Sequence, residues 1–335
     1  MFARHFAANF VNLLIVAGIA FAGFVYWAKG QYVVDGPLAE DTKFEVKAGD
    51  RFRRVADRLE DAGIISDATI FKISARYSGD DSQLKFGNYA VPAGASMQDV
   101  VALITSGRAI SEQVTFPEGF TSYQIIARLG EVEGLSGELD GLPAEGSLAP
   151  NTYAYIEGDT RQKILQKMAE AQTKILDEAW ANRADDLPYD NKEDALIIAS
   201  IIEKETPQKD ELGVVSGVIM NRLAQGIPLG MDSTIVYEFT QGNPENMRSI
   251  RRSDLVKDTQ YNSRRFAGLP PTAIGNPGKR AIEAAVNPEA TEFLFFVADG
   301  TGGHVFAKTL KEHNANVAKW RKIERERKAK AAKAN

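Results

Sequence analysis

The residues best suited to chemistry in this 335-residue chain crowd into one stretch. Residues 195–237 read ALIIASIIEKETPQKDELGVVSGVIMNRLAQGIPLGMDSTIVY. An uncharged apolar run, 196–202, stops abruptly at Glu203, Lys204 and Glu205, and Pro207 follows. A proline disfavours helical geometry in the residue before it, so the pattern predicts a buried helix ending just after the carboxyls. Carboxyls on the rim of an apolar helix are either solvated helix ends or a working acid. Residues two apart on a helix point to nearly opposite sides. Glu203 shares its face with the small Ala199 and Ser200, and Glu205 with the bulky Ile198, Ile201 and Ile202. A substrate comes close only where side chains are short. Glu203 is therefore the candidate acid and Glu205 its candidate structural partner. The plain alternative is two ordinary helix-end carboxylates, since functional acids are a minority of glutamates.

Other polar groups follow. Val214, Val215, Val218, Ile219 and Leu223 mark a second amphipathic helix that stops near Gly226, with Asn221 and Arg222 on its last turn. Arg222 could pair with Glu205 or orient a substrate carboxylate; a cation favoured by the helix dipole is the structural reading. Asp232, Thr234 and Tyr237 come next, then Asn262 and a Gly/Pro-rich segment at 268–271. Rigid loops of this kind suit a groove that holds a polymer. His304 and His313 have no companion cluster and the chain has no Cys, so no metal site is expected. No phosphate-cradling glycine loop is present, so no cofactor is expected either.

The elements that must position these groups divide along the chain. Residues 10–28 are apolar apart from Asn12, at about 1.5 Å per residue just enough for a bilayer core of about 30 Å. Tyr26 and Trp27 stand at the far edge, where interfacial aromatics belong. Arg4 and His5 before the run, and Asp35, Glu40 and Asp41 after it, favour an inside N-terminus. A cleaved signal peptide with its site near Ala20-Phe21-Ala22 is the alternative; the run is long for a signal core, and either way the remainder is exported. Residues 30–42 read as a linker. Then FEVKAGDRFRRVADRL, YAVPAGASMQDVVALI and VTFPEGFTSYQIIARL align on Gly49, Gly94 and Gly119. Six and ten residues after each glycine lie Val55 and Leu59, Val100 and Ile104, Ile125 and Leu129. Each unit predicts a short strand, a Gly turn and an amphipathic helix. The net charge of −5 gives no footprint for nucleic acid.

Several motifs resemble, in order, the endolytic murein transglycosylase (YceG-like) family: EGSLAPNTY at 145–153, ASIIEKET at 199–206, NRL at 221–223, LGMDSTIVY at 229–237, GLPPTAIGNPG at 268–278 and FFVADGTGGHVFAKTLKEHN at 295–314. Linked motifs in order are far more specific than one short pattern. The chain departs from the family's LFPDTY at Ala149 and Asn151, and from its DPT at Ser233.

The resemblance implies an α+β protein: an anchor in residues 1–29, a linker at 30–42, a LysM-like membrane-proximal domain at 43–140, a catalytic domain at 141–318 and a charged tail from 319. It implies cleavage of the MurNAc-β-1,4-GlcNAc bond inside peptidoglycan strands, with the muramic C6 hydroxyl as internal nucleophile. One carboxyl, Glu203, would serve as acid and then base. Asn221, Arg222, Asp232, Thr234, Tyr237 and Asn262 would position sugar or support the site. Peptidoglycan synthases beside an inner-membrane enzyme, facing outward, are partners implied by resemblance alone. The rivals are a wall-binding protein without turnover and a hydrolase pairing Glu203 with Asp232.

Overall fold

The computed structural model describes residues 2–334, with side chains described for residues 10–329. Arg4 and His5, used above for orientation, lie outside the described side chains, as does the end of the basic tail. The chain is a mixed helix and strand structure that separates into two compact units. The first holds Met1–Glu112, Gly134–Ser136 and Ala154–Asp159, and the second holds the remainder.

The N-terminal helix α1 (Phe2–Val33) contains a 24-residue apolar stretch, Phe10–Val33. It is long and apolar enough to cross a membrane and fits a single-pass anchor. The expected linker is ordered: the helix runs to Val33, and Ala28, Tyr32 and Leu38 pack on the core of the first unit. Beyond it, the Gly36 N–H donates to the Gly94 carbonyl (3.1 Å) and the Gly94 N–H to Leu38 O (2.8 Å). Gly36 is required there, because a Cβ would stand 2.2 Å from Ala95 O.

In the first unit β1 (Thr42–Val46) pairs antiparallel with β2 (Gly87–Val91), Phe44 opposite Tyr89. Three helices cover them: α2 (Phe52–Asp61), α3 (Ala68–Ser78) and α4 (Met97–Ser106). The chain crosses between units in β3 (Ser111–Thr115) and β4 (Thr152–Ile156), with α5 (Ser122–Glu131) between them. The repeat is visible in the backbone. Gly49, Gly94 and Gly119 all turn at positive φ, and the six aligned apolar residues are all fully buried. The third copy, carrying α5, clusters with the second unit rather than the first.

The second unit is built on α6 (Arg161–Ala181), α7 (Lys192–Glu205), α8 (Leu212–Ala224), α9 (Asp232–Thr240), α10 (Arg252–Val256) and α11 (Lys279–Val286). Its core is centred on α7, where Ala195, Ile198, Ala199, Ile201 and Ile202 are fully buried against α8 and α11. The hairpin of β5 (Phe295–Ala298) and β6 (His304–Ala307) packs on α12 (Leu310–Ala334). The segment from Asp232 is helical, and β5 is half-buried along its length. Along α12, His313, Val317, Trp320 and Ile323 form a half-buried stripe that runs into the start of the charged tail.

Candidate active site

Helix α7 ends as its sequence dictates. Asn191 caps its start by accepting from the Asp194 N–H (2.8 Å), and Thr206, held extended before Pro207, closes it. Glu203, Lys204 and Glu205 therefore occupy its last turn, and each meets different surroundings.

Glu203 is half-buried. The Gly278 N–H, at the start of α11, donates to its Oε2 (2.9 Å), and Glu118, ion-paired with Lys209 at 3.3 Å, lies close by. Burial pushes the Glu203 carboxyl above the ordinary value, the Gly278 N–H pulls it down, and the Glu118 charge raises it further. The short side chains on its face do not clear a path to it. Ala199 and Ser200 are buried, and the Ile274 N–H donates to Ser200 Oγ (3.0 Å), so the loop of residues 268–278 fills that space. The small residues there leave room for a loop rather than an open approach to Glu203.

Glu205 lies where two cavities share lining residues, one of about 360 Å³ and one of about 530 Å³; Asp232 also lines both, and Glu203 lines neither. Ser233 Oγ donates to Glu205 Oε1 (2.6 Å). Burial is the main force raising the Glu205 carboxyl; the Ser233 hydroxyl opposes it, and the Asp232 charge adds to the rise. Ser233, the residue that departs from the family's proline, thus supplies a hydrogen bond that proline could not.

The remaining sequence candidates sort into lining and scaffold. Asp232 opens α9, exposed, with its Oδ1 accepting from Arg264 Nε (3.0 Å) and Nη2 (2.6 Å). Tyr237 lines the smaller cavity, its ring 5.4 Å from that of Tyr261, and its hydroxyl donates weakly to Glu145 Oε1 (3.5 Å). Thr234 is fully buried, donating to Met231 O (2.9 Å) and meeting Ser263 Oγ (2.9 Å). Asn262 is buried too, its Nδ2 donating to the carbonyls of Asp254 (3.2 Å), Leu255 (3.3 Å) and Lys257 (2.7 Å). Asn221 Nδ2 donates to Thr291 O (2.8 Å) and Phe293 O (3.0 Å). Arg222 does not reach for Glu205: Nε donates to Leu294 O (2.5 Å), and Nη1 to Pro228 O (2.9 Å) and Leu229 O (2.7 Å). Thr234, Asn262 and Asn221 spend their polar groups on backbone or core, an arrangement that fits support of the site rather than contact with sugar.

Three polar residues were not singled out as site residues from the sequence. Glu145 Oε2 accepts from the Ser122 N–H (2.9 Å), and burial raises its carboxyl. Lys204 lines the smaller cavity. Asn276 is fully buried: its Oδ1 accepts from the Leu148 N–H (2.9 Å), and its Nδ2 donates to Phe120 O (3.0 Å) and Ser122 Oγ (3.2 Å). Glu145 and Asn276 sit inside motifs already conspicuous in the sequence, but nothing local marks them as joined.

The YceG-like family model matches residues 44–319. An endolytic murein transglycosylase of Streptococcus pneumoniae is 27% identical over 94% of this chain, which spans 65% of that relative's length. One of Bacillus subtilis is 27% identical over 85% of this chain and 87% of its own. A crystal structure of a YceG-like protein from Listeria monocytogenes, 26% identical, superposes with a TM-score of 0.50 over 82% of this chain and 98% of that one. With most of its length matched in one continuous span and its motifs in order, the chain belongs to the YceG-like family.

Proposed function

We propose that the protein is a membrane-anchored endolytic murein transglycosylase, with Glu205 rather than Glu203 as its acid. One observation carries the assignment: Glu205 is a desolvated carboxyl lining both neighbouring cavities, so a chain laid through them would pass over it. Protonated Glu205 gives its proton to the leaving glycosidic oxygen. The muramic C6 hydroxyl attacks C1, and the Glu205 carboxylate then takes the C6 proton, leaving a 1,6-anhydro end and a neutral acid. Ser233 steadies the carboxylate between the two transfers. A glycan held on both sides of the scissile bond pre-orients the C6 hydroxyl and lowers the barrier without a second catalytic carboxylate. Asp232 is tied to Arg264, which favours this scheme over a hydrolase that needs a free partner.

The relatives' names support peptidoglycan as substrate, and the apolar helix supports catalysis on the extracytoplasmic face of the inner membrane. The membrane-proximal region is read as a LysM-like glycan-binding module or spacer, and synthases as neighbours that extend the strands cut here.

Mass spectrometry of the soluble products from purified peptidoglycan tests the reading. The wild type is expected to release anhydro-ended internal fragments. Glu205→Gln should lose about 10²- to 10⁴-fold in rate, the usual weight of a general acid-base group, while Glu203→Gln stays active. Reducing-ended products would mean hydrolysis. An inactive Glu203→Gln beside an active Glu205→Gln would return the acid to Glu203.

A further inference from the structure

The cavity of about 360 Å³ beside Glu205 has one cation among its lining residues, Lys204. Its neighbours there include the apolar faces of Val236, Tyr237 and Ile274, which suit a sugar ring. The lysine stem is threaded through a glycine cradle. A Cβ on Gly275 would stand 3.1 Å from Lys204 Cε and 2.9 Å from Gly119 O, and a Cβ on Gly119 would stand 3.9 Å from Lys204 Cδ. A side chain on Gly275 would press on both the stem and Gly119 O, so the glycine leaves room for the lysine to run past it.

The ammonium at the end of that course is unspent. No hydrogen bond or ion pair engages it among the described residues, although it carries three N–H donors. Lys204 is exposed at the surface, yet desolvation by the surrounding protein draws its ammonium below the ordinary lysine value, and the charges of Glu145 and Glu203 oppose that pull. The two carboxylates favour the charged form from a distance without consuming a donor. Its exposure keeps those donors open to an acceptor that a ligand in the cavity would bring.

In a polymer of alternating sugars joined by the same linkage, the enzyme must tell one bond from the next. The two sugars differ at the 3-O-lactyl substituent, which ends in an acyl oxygen that accepts hydrogen bonds. We propose that Lys204 recognises the acyl oxygen of the muramic 3-O-lactyl group and so sets which of the two alternating β-1,4 bonds lies over Glu205. The proposal rests on the glycan reading above and adds to it the residue that fixes the register of the strand.

Binding, measured apart from turnover, tests it. The full chain in detergent, silenced by Glu205→Gln, is titrated calorimetrically with a muramic-containing tetrasaccharide and with chitotetraose, which has acetamido groups but no lactyl group. Lys204→Met in that background should weaken the muramic ligand by about 10-fold or more, the range for a charged hydrogen bond, and leave chitotetraose unchanged. Lys204→Arg should restore part of the loss. Equal weakening of both ligands would assign the contact to the acetamido oxygen or to structure, and no weakening of either would remove Lys204 from recognition; both results overturn the proposal. Absence of anhydro products from the active wild type would sink the transglycosylase reading alone, because the binding comparison still decides Lys204. Failure of the silenced chain to bind any glycan would sink both.

Discussion

The Glu205 carboxyl is desolvated, and its folded-state pKa lies above its unfolded value. Two consequences follow with defined signs. An acid that must start protonated loses activity as pH rises through its folded-state pKa, so kcat should fall on the alkaline side of that value. For stability, the folded state holds this proton more tightly than the unfolded chain does. The favourable contribution is complete below the unfolded pKa and is lost as pH rises through the folded one. Glu205→Gln removes the cost of a buried charge while its amide oxygen can still accept from Ser233. The variant should therefore melt above the wild type at pH 7.5, with the difference closing as pH falls toward 4.5, the unperturbed glutamate value. Paired thermal melts across that range check it, and a constant difference at all pH would deny Glu205 its buried charge.

At the scale of elements, the segment leading into α11 is held less by apolar burial than by one amide. The Asn276 side chain joins residues from three separate stretches: Phe120 and Ser122 before and at the start of α5, Leu148 before β4, and the turn before α11. Its backbone adds Gly119 N–H to Asn276 O (2.9 Å) and Asn276 N–H to Phe120 O (2.8 Å). From α6, Gln172 Nε2 reaches the same region, donating to Gly146 O (2.9 Å) and Pro277 O (3.3 Å). Truncation at 276 would strand the buried Leu148 N–H, while Phe120 O would keep its bond from the Asn276 backbone N–H. Asn276→Ala should cost about 2 kcal/mol, an unsatisfied buried group costing about 1–3 kcal/mol. Urea unfolding measures it through the midpoint at constant slope, and a loss under about 1 kcal/mol would mean that water replaces the amide.

For the molecule as a whole, the junction of α1 with the first unit matters most. Ala28 and Tyr32 belong at once to the apolar stretch and to the packing around that unit's core. The anchor and its first unit are thus joined by side-chain contact as well as by chain. A protein lacking residues 1–27 keeps that contact, and one lacking residues 1–35 loses it. The first unit of the shorter protein should melt several degrees lower, as expected when about 1–2 kcal/mol is removed from a domain of roughly this size. Calorimetry that separates two transitions would show it, and identical melts would mean that the helix end contributes nothing to the unit.

What the sequence determined alone is what depends on neighbours along the chain. Pro207 ends α7 through sterics on Thr206, and Gly49, Gly94 and Gly119 turn at positive φ because, lacking a Cβ, they enter that region at little steric cost. The length of the apolar N-terminal run was equally legible. Tertiary structure decided what depends on partners distant in sequence. Ala199 and Ser200 gave no hint that the loop around Ile274, more than seventy positions on, would cover them and leave Glu205 on the open side. Asn221 and Arg222 carry the same donors whether they meet a sugar or the carbonyls of residues 291–294; only the fold brings those carbonyls within reach. The third strand-turn-helix copy repeats the first two, yet it clusters with the second unit, because local pattern dictates a helix but not the surface against which it is buried.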